Sequence, residues 1–198
     1  MDGTLDKYDI IIIGGGPAGS SSAIRLSKLG YTVLVIEKEE FPREHIGESL
    51  VPFCYGLFEE LGIVQTLEKT AVRKPGVRFI NKDGSLSTTY CFKNILHGPE
   101  QLSFHVLRSR FDKQLLDQAR EHNAHVWEAT RVTKVDFLED QYVAVSGTKK
   151  TGEKFRLTAK FVIDATGQDS FLANKKQLRI RNKDLEKIVW PKSEVLPL

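Results

Sequence analysis

A short run near the amino end carries the plainest chemical signal in the chain. Gly14-Gly15-Gly16-Pro17-Ala18-Gly19 contains Gly-x-Gly-x-x-Gly, a spacing in which each fixed glycine has its own task. Gly14 allows a tight turn out of a strand, Gly16 lets backbone approach a pyrophosphate, and Gly19 lets a helix pack closely on a sheet. Pro17 and Ala18 fall in the first turn of that helix, where free N–H groups and the helix dipole favour negative charge. Glu37 follows at about the spacing of a carboxylate that accepts from a ribose hydroxyl, with Lys38 beside it. NAD and FAD both present a pyrophosphate and an adenosine ribose, so these residues specify a dinucleotide and leave its identity open.

A glycine-rich turn is only a turn unless the right elements flank it. Asp9 to Ile13 is a short β-branched run that stops at glycine, the pattern of a buried strand. The following stretch repeats Gly19, Ala23 and Leu26 on one helical face until Gly30, and Val33 to Ile36 is a second buried strand ending at Glu37. Two buried strands joined by a helix predict a right-handed βαβ unit, the opening of a doubly wound α/β sheet. Phe41 to Ser49 is polar and irregular, a loop over the surface or over a ligand. Leu50 to Leu61 predicts a helix with Phe53, Leu57 and Leu61 on one side, ending at Gly62.

Farther on, Val77 to Ile80 and Leu86 to Phe92 flank Asp83-Gly84, a hairpin signal that suggests a second, substrate-facing layer. Ser109 reads as a helix cap with Asp112 three residues on, and Phe111, Leu115, Leu116 and Ala119 form the apolar face. Val126 to Phe137, Tyr142 to Val145 and Phe155 to Ile163 predict a three-strand meander leading to Asp164-Ala165-Thr166-Gly167. The expected division is 1–75 for the βαβ unit and following helix, 76–107 for a partial β layer, 108–174 for the return with its meander, and an atypical tail at 175–198.

Bulk properties narrow the class. Of the 198 residues 40% are apolar and 28% charged, with a net charge of +3, near the average of globular proteins. The basic run Lys175, Lys176, Arg179, Arg181 and Lys183 reads as a solvated surface, so no nucleic-acid partner is expected. Cys54 and Cys91 have no metal-ligand spacing and are too few for a disulfide framework, and His45, His97 and His105 form no metal or triad pattern. No metal is expected. Ile10 to Ile13 is too short to span a membrane, and the expected setting is reduced and cytoplasmic.

The order βαβ unit, polar loop, helix, hairpin layer, Arg-x-x-Phe-Asp helix, meander and Asp-Ala-Thr-Gly resembles the flavoprotein monooxygenase superfamily of aromatic hydroxylases, geranylgeranyl reductases and flavin-dependent halogenases. Within it, Phe41-Pro42-Arg43-Glu44-His45-Ile46-Gly47-Glu48-Ser49-Leu50-Val51-Pro52 is similar to the Phe-Pro-Arg-x-x-x-Gly-Glu-Ser-Leu-x-Pro stretch of the halogenase branch. The resemblance implies FAD as the cofactor. It implies that Arg43 and the Gly47 to Ser49 backbone pass the flavin, that Arg108 contacts the flavin nucleotide, that the Val132 backbone meets adenine, and that Asp164 and Gly167 belong to the cofactor site. Lys74 lies where halogenases carry a Lys-x-Gly lysine, which hydrogen-bonds hypohalous acid or captures it as a haloamine; a solvated turn lysine is the alternative.

The resemblance therefore implies an α/β fold: a Rossmann-like FAD-binding domain with an inserted β-meander and the start of a β-rich substrate layer. It implies an FAD-dependent oxidoreductase acting through a flavin hydroperoxide on a small organic substrate with molecular oxygen, its electrons coming from a flavin reductase or NAD(P)H. A hydroxylase, a reductase of the geranylgeranyl type and a non-catalytic FAD-binding fragment are the competing readings. The match runs to about Asn174 and corresponds to the first half of a family member, so a truncated, frame-shifted or half-length chain is expected. The Trp-x-Trp-x-Ile-Pro halogenase motif is not found, and Ile188 to Leu198 resembles nothing in the family.

Overall fold

The computed structural model describes residues 7–139 and 141–180, apart from the side chains of Pro99 and Glu100. The βαβ unit runs β1 (Lys7–Ile13), α1 (Pro17–Lys28) and β2 (Val33–Ile36). Two short helices follow, α2 (Tyr55–Leu61) and α3 (Val64–Thr70), then strands β3 (Val72–Lys74), β4 (Gly76–Ile80), β5 (Ser87–Cys91) and β6 (Ser103–His105). Helix α4 (Arg108–Glu121) leads to β7 (His125–Trp127), β8 (Thr130–Phe137), β9 (Val143–Lys149) and β10 (Lys154–Asp164), and α5 (Phe171–Lys175) comes last.

Six strands form the main sheet in the order β7-β2-β1-β10-β9-β8, parallel from β7 to β10 and antiparallel from β10 to β8. Alternation along β1 serves both faces of this sheet. Ile10 and Ile12 pack with Ala23, Val33, Val35, Phe111 and Leu115 under α1 and α4. Ile11 and Ile13 pack with Leu34, Ile36, Val132, Val145 and Leu157 under the meander. Burying each such side chain contributes roughly 1.5–3 kcal/mol, and this doubly covered centre fixes the strand ends that build the site.

Several local expectations are corrected. The helix expected at Leu50–Leu61 starts only at Tyr55, after a 3-10 turn at Pro52–Cys54, and turns Phe58 and Leu61 inward while Phe53 is 90% exposed. The side of the helix that meets α1 and α4, not the longest apolar repeat, decides which residues are covered. Ser109 caps nothing: α4 begins at Arg108, no side chain caps its start, and Ser109 and Asp112 are both buried within it. The expected strand Val126–Phe137 is two strands, broken near Ala129 at φ 49°; β7 pairs with β2 on one sheet edge and β8 with β9 on the other. Two strands carried no signal, β3 and β6, which pair with each other, whereas the hairpin β4–β5 stands as expected around Asp83-Gly84 in its own sheet. Lys183, Arg181 and the 188–198 tail lie outside the described residues.

The entry to the sheet is tied by Asp9, whose carboxylate accepts from Thr32 N (2.9 Å), Thr32 Oγ1 (2.7 Å) and Lys160 Nζ (2.7 Å). The Lys160 ammonium, then the Thr32 amide and hydroxyl, hold this carboxyl well below the usual carboxylate range. A folded-state pKa below the unfolded value near 3.9 stabilises the fold above about pH 4, and that contribution disappears as pH falls toward the folded pKa. Asp9→Asn is therefore expected to flatten the loss of stability below about pH 4, by a small amount because solvent screens the pair. Urea midpoints measured from pH 7 to pH 3 check this; parallel curves for parent and variant refute it.

Candidate functional site

A cleft of about 470 Å³ opens at the carboxyl ends of β1, β2 and β10, where open parallel sheets take ligands. Gly14, Gly16, Pro17 and Ala18 line it. The three motif glycines differ in what requires them. Gly14 sits at φ 105°, and a Cβ there would lie 2.5 Å from the Ala165 carbonyl oxygen; on Gly19 it would lie 1.9 Å from the Gly14 carbonyl oxygen. Those two glycines are demanded by protein packing, and Gly19 lies behind the cleft wall. Gly16 is not: its φ is −66°, and a Cβ would meet only Arg43 Nη2, at 3.6 Å. The start of α1 has no capping side chain and no acidic residue, so its first N–H groups are free for an anion.

Glu37 is 4% exposed and lines the same cleft. Its Oε2 accepts from Gly15 N at 2.6 Å and its Oε1 from Glu39 N at 2.8 Å, which leaves lone pairs for a further donor. Its backbone is clasped from both sides: Glu37 N donates to Trp127 O (2.8 Å), Thr130 N donates to Glu37 O (2.9 Å), and Ala129 N donates to Glu39 O (3.1 Å). Thr130, Arg131 and Val132 carry the wall onward along β8. Lys38, expected at the cofactor, pairs across the cleft with Asp169, whose carboxyl that ammonium holds below its ordinary range.

Arginines furnish the opposite wall. Arg43 and Arg108 both line the cleft and share the carboxylate of Asp112, which is fully buried. Arg108 donates in a fork, Nε to Oδ1 (2.7 Å) and Nη2 to Oδ2 (2.8 Å), while its Nη1 donates to Ile46 O (2.8 Å). Arg43 Nη1 lies 3.5 Å from Asp112 Oδ2, and Nε lies 2.8 Å from Glu39 Oε2 but out of line for a hydrogen bond. Arg43 Nε and Nη1 are thus buried donors without a hydrogen-bond partner. Asp112 escaped the sequence reading because it was taken for a capping residue; its spacing of four from Arg108 was the available signal.

Of the remaining sequence candidates Gly167 lines the cleft, whereas Asp164, Gly47, Ser49 and Lys74 lie around it. Asp164 accepts from Thr166 N (3.1 Å), Thr166 Oγ1 (2.6 Å) and Leu172 N (2.7 Å), so its carboxylate shapes the turn that presents Gly167 to the cleft. Gly47, at φ 104°, crosses Arg108 so closely that a Cβ would lie 3.1 Å from Nη1. Two residues on, Ser49 bridges to His105 and receives Lys74: Nζ donates to Ser49 Oγ at 2.7 Å and to Leu50 O at 3.1 Å. Lys74 therefore stands at the far end of the loop that Arg43 begins.

The site fits a dinucleotide on two counts: an open glycine at a free helix start, and the Arg43 guanidinium, whose Nη2 stands beside that glycine. No described helix is long and apolar enough to cross a membrane. The model of the FAD binding domain family matches residues 7–190. The chain is 34% identical over 195 residues to a 1H-pyrrole-2-carbonyl-[peptidyl-carrier protein] chlorinase of Pseudomonas fluorescens, covering 89% of this chain and 42% of that protein. It is 38% identical over 170 residues to the corresponding brominase of Pseudoalteromonas luteoviolacea, covering 85% and 40%. The solved myxobacterial chondrochloren halogenase, described as a variant of FAD-dependent halogenases, superposes with a TM-score of 0.78 at 32% identity, covering 84% of this chain and 39% of that one. The chain thus spans about 40% of the length of these relatives.

Proposed function

The chain belongs to the FAD binding domain family, and from that premise we propose that it forms the dinucleotide-holding part of a halogenase-like, FAD-dependent oxidoreductase. In this reading Gly16 and the start of α1 receive the pyrophosphate, Glu37 accepts from the adenosine ribose, and Arg43 supplies positive charge beside the phosphates. The Thr130–Val132 wall and Gly167 flank the nucleotide, and Arg108 keeps the 46–47 segment in place. Bound FAD supplies two-electron redox chemistry and, when reduced, the activation of molecular oxygen. Residues 76–107 belong to a layer that faces a small organic substrate.

One observation carries the halogenase-like reading over the others. A single loop starts at the cleft with Arg43 and ends at Ser49, whose hydroxyl holds the Lys74 ammonium, so the lysine is mechanically tied to the cofactor cleft. Ser49 Oγ and Leu50 O fix where Nζ presents its protons, and the Phe92 ring, 5.5 Å away, screens one side. The pyrrole-carrying substrates named for two relatives make an electron-rich aromatic ring the first choice of substrate class. A flavin reductase or NAD(P)H supplies the electrons.

Product mass separates the alternatives. In a complete enzyme that contains this chain, supplied with reduced FAD, oxygen and bromide or chloride, the expected product of an electron-rich aromatic has one hydrogen replaced by halogen. A product heavier by one oxygen identifies a hydroxylase, one heavier by two hydrogens a reductase, and no product with any electron donor a binding module; each of these overturns the proposal.

A further inference from the structure

We propose that Asp112 is the positioning residue of the cleft: one buried carboxylate sets both cleft arginines and, through Arg108, the loop that carries Arg43. The contacts of this carboxylate are with the two cleft arginines. Its oxygens are met by the Arg108 fork at 2.7 and 2.8 Å and by Arg43 Nη1 at 3.5 Å. Both partners line the cleft, and Asp112 itself has no exposure. A carboxylate in that position orders two guanidiniums that repel each other, and the Arg108 fork leaves Nη1 aimed at Ile46 O. A Cβ on Gly47 would lie 3.1 Å from that nitrogen, which records how closely the loop is drawn onto Arg108.

A purely electrostatic role and a positioning role predict opposite signs in one experiment. Asp112→Asn keeps the size of the side chain and removes a negative charge from beside an anion site. Electrostatics alone would then tighten the binding of an anion. Loss of positioning does the reverse, because the asparagine amide can no longer accept a fork from Arg108 and hold Arg43 as well.

The ligand arms rest on the FAD reading, so a ligand-free arm accompanies them. In ¹⁵N spectra of the chain, the Nε–H signals of Arg43 and Arg108 are expected to be sharp in the parent and to broaden or shift together in Asp112→Asn. By fluorescence titration, the variant is expected to bind FAD at least about tenfold more weakly, and inorganic pyrophosphate more weakly as well. Unchanged Arg43 and Arg108 signals, or parental or tighter binding of FAD and pyrophosphate in the folded variant, would overturn the inference. Should Asp112→Asn not fold, Arg108→Lys makes the same test. It keeps the charge but cannot span Asp112 and Ile46 O together, so FAD affinity is expected to fall, and parental affinity refutes the proposal. A parent that binds no FAD counts against the proposed function, while the arginine signals still decide the role of Asp112.

Discussion

Gly16→Val is expected to remove FAD binding and leave the fold standing. The two parts of this outcome have separate causes. Backbone conformation at Gly16 is open to any residue, and the nearest atom to a Cβ is the flexible end of Arg43 at 3.6 Å. The apo protein therefore loses only the difference between a glycine and a valine ahead of a helix, about 1 kcal/mol. The added methyl groups stand where a pyrophosphate must reach backbone, and the expected loss of affinity is at least about a hundredfold. Gly19→Ala is the matching control. Its Cβ would fall 1.9 Å from the Gly14 carbonyl oxygen, a collision within the protein that costs about 3 kcal/mol of stability and takes binding with it. Thermal melting and flavin absorbance after purification separate the two, and flavin retained at parental stoichiometry in Gly16→Val refutes the assignment of the cleft.

In a complete enzyme that contains this chain, and on the proposed function, Lys74→Ala is expected to abolish halogenated product while reduced flavin continues to consume oxygen. Loss of the side chain does not dismantle the loop, because Leu50 O keeps the Ser103 hydroxyl as a donor at 2.7 Å. The surface cost is that of an ordinary partly buried substitution, within about 1 kcal/mol. Lys74→Arg is expected to fail too, since a guanidinium stays charged and cannot act as a nucleophilic amine. The measurement pairs product mass spectrometry, in chloride and then bromide, with oxygen uptake. Undiminished halogenation in the alanine variant removes Lys74 from the chemistry and leaves it as the peg that fastens Ser49.

Elements written in local pattern were the legible ones. The run from Asp9 to Glu37 declares strand, turn, helix and strand through glycine placement and a buried apolar run, and Asp83-Gly84 declares its hairpin. Where two devices share one spacing, the sequence misleads: Ser109 and Asp112 have the offset of a capping pair, yet Asp112 is also four residues past Arg108, and burial selects the ion pair. The break near Ala129 left no glycine to mark it, so alternation read straight through. Arg43 and Asp112 meet only through the fold, 3.5 Å apart, and no periodicity announces such a pair. Phe53 and Leu57 show the converse, an apolar stripe real in the sequence but turned from the core, because Phe58 and Leu61 meet the other helices.

The double clasp on Glu37 gives the cleft one unyielding end and one compliant end. At the former, three main-chain bonds weld β2 to the connection between β7 and β8, so the carboxylate is a template whose shape is set when the sheet forms. At the latter, Ile46 stands 92% exposed on a loop held in its middle by the side-chain bond from Arg108 Nη1 to Ile46 O, and by main chain only at its far end, where Val106 N donates to Glu48 O and Leu50 N to Phe104 O. On the proposed function, the nucleoside and flavin halves of a bound dinucleotide are expected to be read by different instruments, a mould and a hand. A nucleoside alone is then expected to be blind to changes in the loop, and the whole dinucleotide to feel them.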